Sequence, residues 1–292
     1  MSELPGVHPP LLAVREAVGR ALAEDLLPLG DITASLLPSG ARTDARLVAR
    51  AEGVLAGRAC ATEAFGAVDP SVAVLWEVDD GSPVVPGRVL AAVLGPAASV
   101  LSAERTALNF LCHLSGVATL TRRFVEVVAA ANPGTRILDT RKTTPGLRPL
   151  EKAAVRAGGG VNHRGNLSEG VLVKDNHLGG TTIATAVATA RDRWPGRLVE
   201  VECDRPEQVL EAVESGAGQV LLDNMTPEQV AACVALVRDK GGPGVLVEIS
   251  GGVSLETAGA FAAAGVDLIS VGAITHSAPA LDIGLDLAVV EA

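Results

Sequence analysis

Short apolar runs rich in β-branched residues recur through the second half of the chain, and each precedes a stretch typical of a helix. These runs start 21 to 35 residues apart, which is the spacing of repeated βα units. Because the helices of such units cover a buried parallel sheet, the pattern predicts an α/β fold. The predicted strands span residues 136–140, 171–173, 198–202, 219–223, 245–249 and 267–271.

The first half of the chain follows a different pattern. Residues 41–58 and 72–94 alternate apolar and polar positions, interrupted by Gly and Pro, as antiparallel strands do. Residues 102–128 predict one long helix or two abutting helices. We place a domain boundary near residue 115, inside this helical region.

The predicted strands of the second half end on polar, charged or glycine residues. In a βα barrel the carboxyl ends of the strands form the active-site face, and an open doubly wound sheet also binds its ligands there. The spacing alone does not choose between these two architectures. In either, the following residues converge: Thr140, Arg141, Lys142, Lys174, Glu202, Asp223, Ser250, Gly251, Gly252 and Gly272.

Charge is unevenly distributed along the chain. The net charge is −10, yet residues 136–174 hold eight basic side chains against three acidic ones. A cationic cleft in an acidic protein concentrates an anionic small molecule. Arg136, Lys152 and Arg156 are interpreted as solvated surface charges. The basic residues assigned to the cleft are Arg141, Lys142, Arg164 and Lys174.

Composition excludes several other function classes. A nucleic-acid binder needs a basic surface and base stacking needs aromatic side chains, which make up only 2% of this chain. The four cysteines form no CxxC pair, so neither structural zinc nor a disulfide framework is indicated. The first ten residues lack the features of a signal peptide, and the uncharged run 106–121 is too short to span a bilayer. We expect a cytoplasmic protein that binds neither nucleic acid nor membranes.

Glycines and acidic residues extend the candidate chemistry. Ser250-Gly251-Gly252 follows an apolar run and precedes a helix, where bare N–H groups can cradle a phosphate, although such a sequence can also be only a tight turn. Glu202 and Asp223 can hold sugar hydroxyls, can hold a Mg²⁺ that accompanies a polyphosphate, or can balance charge. His163 and His177 suggest a metal site, but the neighbouring Arg and Lys side chains repel a cation and disfavour it.

Several motifs carry a family resemblance, in order along essentially the whole chain. The longer ones are Asp139-Thr-Arg-Lys-Thr-Thr-Pro-Gly-Leu-Arg148, Gly158-Gly-Gly-Val-Asn-His-Arg164 and Lys174-Asp-Asn-His177. The shorter ones are Glu24-Asp25, Gly30-Asp-Ile-Thr33, Glu104-Arg-Thr-Ala-Leu-Asn109, Leu221-Leu-Asp-Asn224, Ser250-Gly-Gly252 and Val271-Gly-Ala-Ile-Thr-His276. Together they resemble the carboxylating nicotinate-nucleotide pyrophosphorylases, also called quinolinate phosphoribosyltransferases.

The resemblance implies a fold, an assembly and a reaction. The implied fold has an N-terminal α/β sandwich domain over residues 1–115, an incomplete parallel α/β barrel (TIM-like) over 116–277, and a tail over 278–292 that returns to the first domain. The implied assembly is a homodimer in which one subunit's N-terminal domain closes the other's barrel, and some relatives form higher oligomers. The implied reaction converts quinolinate and phosphoribosyl pyrophosphate (PRPP) to nicotinate mononucleotide, carbon dioxide and pyrophosphate, with Mg²⁺, in NAD biosynthesis.

The resemblance also implies residue roles, and these agree with the cationic cleft because quinolinate carries two adjacent carboxylates. The implied quinolinate pocket contains Arg141, His163, Arg164 and Lys174, with Arg105 reaching in from the neighbouring subunit. The implied PRPP site contains Thr140, Lys142, Glu202 and Asp223, with Ser250, Gly251, Gly252, Val271, Gly272 and Ala273 around its 5-phosphate. The implied catalytic residues are Lys142, Lys174, Glu202 and Asp223, and Mg²⁺ is expected to be held mainly by PRPP, near the two acids.

Three alternatives stay open at this stage. A paralogue could act on nicotinate or another pyridine carboxylate without decarboxylation, although a monocarboxylate needs fewer cations. A transport-associated or ligand-binding relative of the same fold would need only the cationic pocket. A phosphate-binding barrel lyase would use a Schiff-base lysine, for which Lys174 is the candidate.

Overall fold

The computed structural model describes residues 7–290. Residues 1–6, which belong to the segment assessed for a signal peptide, and residues 291–292 lie outside the described residues. Within the described part of the chain, none of the helices combines the length and the apolar character needed to cross a membrane. The described chain divides into two compact units.

Unit 1 comprises the described residues up to Arg122, residues 143–159 and those from Ala273 onward. Its main sheet is antiparallel, with the strand order β12-β1-β5-β3. The strands of unit 1 are β1 (Arg42–Ala49), β2 (Gly53–Val54), β3 (Ala73–Trp76), β4 (Pro83–Val84), β5 (Val89–Pro96) and β12 (Ile283–Val290). Its helices are α1 (Leu11–Leu26), α2 (Arg58–Val68), most of α3 (Ala97–Ala131), α4 (Arg148–Ala157) and α10 (Ala273–His276).

The alternating segments of the first half do form antiparallel strands, as predicted. In β5, buried and less buried positions alternate over its second half, so that one face packs into the core. The helical region is one continuous helix, α3, which begins at Ala97, five residues before the predicted start. The predicted boundary near residue 115 therefore falls inside an unbroken helix. The last strand, β12, pairs with β1 along its whole length.

Unit 2 comprises residues 123–142 and 160–272. Its strands are β6 (Arg136–Leu138), β7 (Val171–Val173), β8 (Val199–Cys203), β9 (Gln219–Asp223), β10 (Leu246–Ser250) and β11 (Leu268–Ser270). Its helices are α5 (Asp175–Leu178), α6 (Ile183–Arg193), α7 (Pro206–Glu214), α8 (Pro227–Lys240) and α9 (Leu255–Ala263). All six predicted strands are present, and β6 and β11 end earlier than predicted, so that residues 139–142 and 271–272 lie in loops.

The order of the strands distinguishes the barrel from the open sheet. The six parallel strands have the order β6-β11-β10-β9-β8-β7. Strands adjacent in the chain are adjacent in the sheet from β7 to β11, and β11 then pairs with the first strand, β6. This order follows a ring without a reversal. A doubly wound sheet, by contrast, requires the strand order to reverse at one point. In the described structure the barrel is incomplete, because β6 does not pair with β7.

Proline, glycine and hydroxyl residues mark the helix ends of unit 2. Pro206 and Pro227 are the first residues of α7 and α8, where a missing N–H costs little. Gly216 and Gly265, shortly after α7 and α9, have φ values of +84° and +90°, which favour glycine. Ser254 forms a reciprocal cap with Thr257 at the start of α9. These local signals determine where the helices begin and end, and so where the chain returns to the sheet.

Close packing inside unit 1 requires a glycine in the middle of α3. A Cβ atom on Gly116 would lie 2.1 Å from the carbonyl oxygen of Pro279 and 3.0 Å from the Cα of Ala280. Both neighbours are backbone atoms, so they cannot move aside as a flexible side chain would. The segment before β12 therefore rests directly on the surface of α3.

We expect Gly116→Ala to destabilise the protein by about 1–3 kcal/mol, as overpacking of a filled interior does. Gly259→Ala is the matched control, because Gly259 also lies inside a helix but its added Cβ would meet Val127 at an ordinary 3.7 Å. The control should be neutral or slightly stabilising, since alanine is the better helix former. Urea unfolding of the two variants and the wild type measures the difference, and equal midpoints would contradict the packing argument.

Candidate active site

A cleft of about 590 Å³ opens in unit 2, where the strands of the barrel end. Residues from the ends of all six strands, or from the segments after them, reach it. Of the predicted site residues, the cleft brings together Thr140, Arg141, Lys142, His163, Arg164, Lys174, Glu202, Asp223, Ser250, Gly251 and Gly252.

Four predicted site residues are not among those that line this cleft in the described structure. Arg105 is exposed on α3, in unit 1. Val271 is buried directly after β11, and Gly272 and Ala273 follow it, with Ala273 as the first residue of α10.

A buried aspartate fixes the segment that carries two of the cleft's cations. Asp139 follows β6 and is fully buried. Its two oxygens accept hydrogen bonds from the backbone N–H of His163 at 2.8 Å and from the side-chain amide of Asn162 at 2.7 Å. The short segment 161–164 is thereby held alongside β6, where Val161 forms a bridge to Leu138.

Arg141 and Arg164 bring two guanidinium groups close together. Burial, and then the positive charge of Arg141, lower the pKa of Arg164. Arg164 donates to the carbonyl oxygen of Gly170 at 2.9 Å, and its Nε is buried without a hydrogen-bond partner among the described residues. Two adjacent guanidiniums, one with an unused buried donor, are well suited to a ligand with two carboxylates.

Lys174 and Glu202 form an ion pair that joins the carboxyl ends of two neighbouring strands. Lys174 follows β7 and Glu202 lies near the end of β8, and the ammonium of the first contacts the carboxylate of the second. Both side chains are partly exposed to the cleft. Asp223, at the end of β9, accepts a hydrogen bond from the amide of Asn224 at 2.7 Å.

The turn after β10 contains two glycines whose backbone conformation disfavours a side chain. Gly251 and Gly252 have φ values of +91° and +62°. A Cβ on Gly251 would lie 2.4 Å from Oδ1 of Asn224, whereas a Cβ on Gly252 would meet nothing within 4 Å. The turn therefore leaves open space beside bare backbone, next to the start of α9, which is the geometry of a phosphate cradle.

A layer of three polar side chains beneath the cleft was missed in the sequence. Glu200, Gln219 and Glu248 lie on β8, β9 and β10 and are almost fully buried. Each precedes a predicted cleft residue on its own strand by an even number of positions, so it faces the same side of the sheet. The detectable signal was this period of two: polar residues recur at 200 and 202, 219 and 223, and 248 and 250.

Hydrogen bonds tie this polar layer to His163. The imidazole Nε2 lies 3.1 Å from Oε2 of Glu200 and 3.7 Å from Oε2 of Glu248. The amide nitrogen of Gln219 donates to Glu248 at 2.6 Å and to Glu200 at 3.2 Å. We refer to Glu200, Gln219, Glu248 and His163 as the polar floor.

The polar floor changes the protonation of its members. Burial alone would lower the pKa of His163, but its hydrogen bond with Glu200 and the negative charges of Glu248 and Glu200 outweigh burial and raise it. Burial, followed by the charge of Glu200, raises the pKa of Glu248 to about 8, against the smaller opposing effects of His163, Ser270 and Gln219. The floor therefore binds more protons near neutral pH than the same groups would in water.

Unit 1 has its own cavity, of about 460 Å³. Its lining includes Glu24, Asp25 and Asn109, which belong to the motifs that carried the family resemblance, together with His113. His113 pairs at 2.8 Å with Glu151, which is fully buried and also accepts the backbone N–H of Thr144. Polar residues of the family motifs therefore also cluster around a cavity in unit 1.

Comparison with known proteins identifies both halves of the chain. Residues 31–115 match the model of the quinolinate phosphoribosyl transferase N-terminal domain, and residues 117–286 match the model of its C-terminal domain. A nicotinate-nucleotide pyrophosphorylase [carboxylating] of Mycobacterium leprae is 44% identical over 281 residues, covering 94% of this chain and 97% of that protein. A probable enzyme of the same name from Bacillus subtilis is 40% identical and covers 94% of each chain.

Solved structures agree with these matches. The nicotinate-nucleotide pyrophosphorylase of Francisella tularensis superposes with a TM-score of 0.91 at 37% identity, covering 98% of this chain and 100% of the other. A human nicotinic acid phosphoribosyltransferase, at 17% identity and a TM-score of 0.60, shares the fold only. The two domain models, the curated relatives and the incomplete barrel with its cationic cleft lead to one conclusion: the chain belongs to the quinolinate phosphoribosyltransferase family.

Proposed function

We propose that this protein transfers the phosphoribosyl group of PRPP to quinolinate with decarboxylation, giving nicotinate mononucleotide, carbon dioxide and pyrophosphate. The observation that carries this proposal is the cleft itself, where Arg141, His163, Arg164 and Lys174 face one cavity together with an open glycine turn. A cationic pocket beside a phosphate cradle suits a dicarboxylate and a phosphorylated sugar. The curated relatives are named for the same carboxylating or decarboxylating reaction.

Quinolinate recognition falls to the cations on the β6 and β7 side of the cleft. Arg141 and Arg164 bind the two adjacent carboxylates with planar, two-pronged donors, and His163 adds a further donor. The unpartnered Nε of Arg164 supports this assignment. Binding the dianion relieves the repulsion between the two guanidiniums, which favours a dicarboxylate ligand at this position.

PRPP recognition falls to the β8, β9 and β10 side. The backbone of Ser250, Gly251 and Gly252 holds the 5-phosphate, and Glu202 and Asp223 hold the ribose hydroxyls. Thr140, whose hydroxyl accepts the backbone N–H of Lys142 at 3.0 Å, shapes the turn that presents Lys142 to the leaving pyrophosphate. Val271, Gly272 and Ala273 are proposed to extend the phosphate cradle.

Mg²⁺ is expected to bind together with the sugar donor, PRPP. Mg²⁺ usually binds one or two carboxylates together with substrate phosphates, and Glu202 and Asp223 supply two carboxylates at the sugar side of the cleft. The donor set therefore fits an ion held mainly by PRPP, with these two acids close to it. When bound, the ion would neutralise charge on the pyrophosphate.

The chemical steps then follow from charge. The pyridine nitrogen forms a bond to the anomeric carbon as the bond to pyrophosphate breaks, and Lys142 offsets the charge that the leaving group gains. Glu202 and Asp223 stabilise the positive charge that develops on the sugar. The ring nitrogen is then cationic, so the electron pair left by the departing carbon dioxide is stabilised beside it. A proton from a group lining the cleft completes the product, and Lys174 is the proposed donor.

A homodimer completes the site in this proposal, with Arg105 of the partner subunit reaching the quinolinate pocket. Two observations support a partner on unit 1. No described residue forms an ion pair with the exposed Arg105. In addition, α1 and the segment after it expose a group of large apolar side chains that a lone subunit would leave in water: Leu11, Leu12, Leu27, Leu29, Ile32 and Leu36.

We expect Arg141→Ala to raise the KM for quinolinate about 100-fold, because truncating a desolvated charge partner costs roughly 2–5 kcal/mol. The KM for PRPP should change little. Arg136→Ala is the matched control, since Arg136 is an exposed arginine at the start of β6, whereas Arg141 lies in the loop after the end of that strand. Steady-state kinetics with each substrate varied in turn measure the two effects. Equal losses for both substrates would remove Arg141 from the quinolinate pocket.

Mixed dimers test the role of Arg105. Arg105→Ala and Arg141→Ala subunits are unfolded and refolded together. Random pairing makes about half of the dimers mixed, and each mixed dimer has one intact site of two. The expected activity is therefore about a quarter of the wild-type activity. The control mixture, Arg141→Ala with Lys142→Ala, should recover nothing, because both changes damage the same cleft. No recovery in the first mixture would mean that Arg105 does not act across subunits.

The reaction itself is tested by incubating the protein with PRPP, Mg²⁺ and carboxyl-labelled quinolinate. Labelled carbon dioxide released together with nicotinate mononucleotide is the expected result. The same incubation with nicotinate in place of quinolinate is the specificity control. Product from nicotinate alone would keep the sugar site and overturn the proposed substrate.

A further inference from the structure

The polar floor occupies a place where a barrel normally has apolar side chains. The interior layers of parallel βα barrels are dominated by branched apolar residues. Here Glu200 and Glu248 are 3% and 0% exposed, and Gln219 at 3% lies on the strand between them. Two carboxylates buried this deeply are costly unless their charge is compensated.

The compensation within the floor is incomplete if both carboxylates are ionised. His163 can supply one positive charge, and the Gln219 amide donates to one oxygen of each acid. Among the described residues, neither Glu248 Oε1 nor the hydroxyl oxygen of Ser270 has a hydrogen-bond partner of good geometry, although Ser270 lies close enough to favour the ionised form of Glu248. A proton on Glu248 removes one charge and gives the carboxyl an O–H that the neighbouring Ser270 oxygen can accept.

A metal ion is the alternative way to balance the floor. Ligand atoms of His163, Glu200 and Glu248 lie within 4.8 Å of one another, which is close enough to share an ion. However, the Gln219 amide donates its hydrogens to the same carboxylates that would bind the metal. The positive charge of Arg164 also acts on this cluster. The geometry therefore favours a proton over a metal ion.

We propose that Glu248 carries a proton that keeps the floor of the cleft electrically neutral, and that Glu248 and Gln219 are thereby positioning residues for quinolinate, acting through His163. With one glutamate neutral, the remaining charge of Glu200 balances that of His163. The cations above the floor then present their full positive potential to the dicarboxylate. This inference rests on the proposed function of the cleft.

Other charged groups surround Glu248 and set the background for its titration. Beside it lie His163 and Glu200, the charge of Arg164 acts on His163, and Asp139 holds the backbone of His163. The cleft above adds Arg141, Lys142, Lys174, Glu202 and Asp223. Because these groups are common to the wild type and to a Glu248 variant, the difference between the two proteins isolates Glu248.

The expected pH dependence follows from the raised pKa of Glu248, which is about 8. Above this value Glu248 ionises, the floor becomes negative, and it repels the quinolinate carboxylates. At pH 9 such a group is about tenfold more ionised than protonated. Glutamine imitates the neutral carboxyl at every pH, so Glu248→Gln should escape this loss.

The first test is the pH profile of kcat/KM for quinolinate at saturating PRPP. We expect Glu248→Gln to keep most of the wild-type value at pH 7, and the ratio of variant to wild type to rise about tenfold by pH 9. Glu151→Gln, a change of another fully buried glutamate paired with a histidine, is the matched control and should decline at the same pH as the wild type. A ratio for Glu248→Gln that stays constant with pH would overturn the proposal.

The second test needs no catalysis and so separates this inference from the proposed function. A carboxyl whose pKa is higher in the folded state stabilises the fold at low pH, and the stabilisation is lost as the pH rises towards 8. The urea midpoint of the wild type should therefore fall relative to that of Glu248→Gln between pH 5 and 8.5. A merely structural role predicts a constant difference, which would contradict the proposal even if quinolinate is turned over.

Gln219→Met provides a second variant, in which Glu248 still titrates but its pKa is expected to be raised further. The Gln219 hydrogen bond favours the ionised form of Glu248, so its removal should move the decline in kcat/KM to a higher pH than in the wild type. A shift to lower pH would count against the arrangement. If the wild type does not act on quinolinate at all, the proposed function fails, while the urea series still decides whether Glu248 holds a proton.

Discussion

Repulsion between like charges is the constraint around which unit 2 is organised. Arg141, Arg164 and Lys174 face one cavity, and their like charges repel one another. The protein restrains them from below and from the side: Asp139 fixes the segment before Arg164, and Glu202 pairs with Lys174. The polar floor continues this pattern one layer deeper. Binding an anion then releases electrostatic strain that folding has already imposed.

Much of this arrangement was predictable because a parallel barrel converts sequence position into spatial position. Every predicted strand of the second half is present, and the residues at the strand ends meet at one edge, as the carboxyl ends of parallel strands must. Lys174, Glu202 and Asp223 could be placed in this way from three unrelated stretches of sequence. The strand spacing alone could not distinguish a barrel from an open sheet, because the difference depends on β11 pairing with β6, which no local pattern reports. The family resemblance implied the incomplete barrel, and the strand order confirms it.

The polar floor was missed for a different physical reason. Glu200, Gln219 and Glu248 lie inside strands, where a polar residue in an apolar run is usually taken as the solvated face of the sheet. Only the alternation of side chains between the two faces of a strand shows that they face the same side as Glu202, Asp223 and Ser250. Their depth and mutual hydrogen bonds depend on three strands being adjacent, which is a tertiary fact. Likewise, the requirement for glycine at Gly116 comes from Pro279, more than 150 residues further along the chain.

The pairing of β12 with β1 has a consequence for how the protein is made. Strand β1 is flanked by β5 on one side and by β12 on the other, and β1 and β12 lie near opposite ends of the sequence. During synthesis, the edge of β1 that awaits β12 stays unpaired while all of unit 2 is translated, for ten seconds or more at roughly 5–20 residues per second. An open strand edge is a template for joining other chains. The nascent chain is therefore prone to aggregate through the free edge of β1 until β12 emerges from the ribosome and pairs with it.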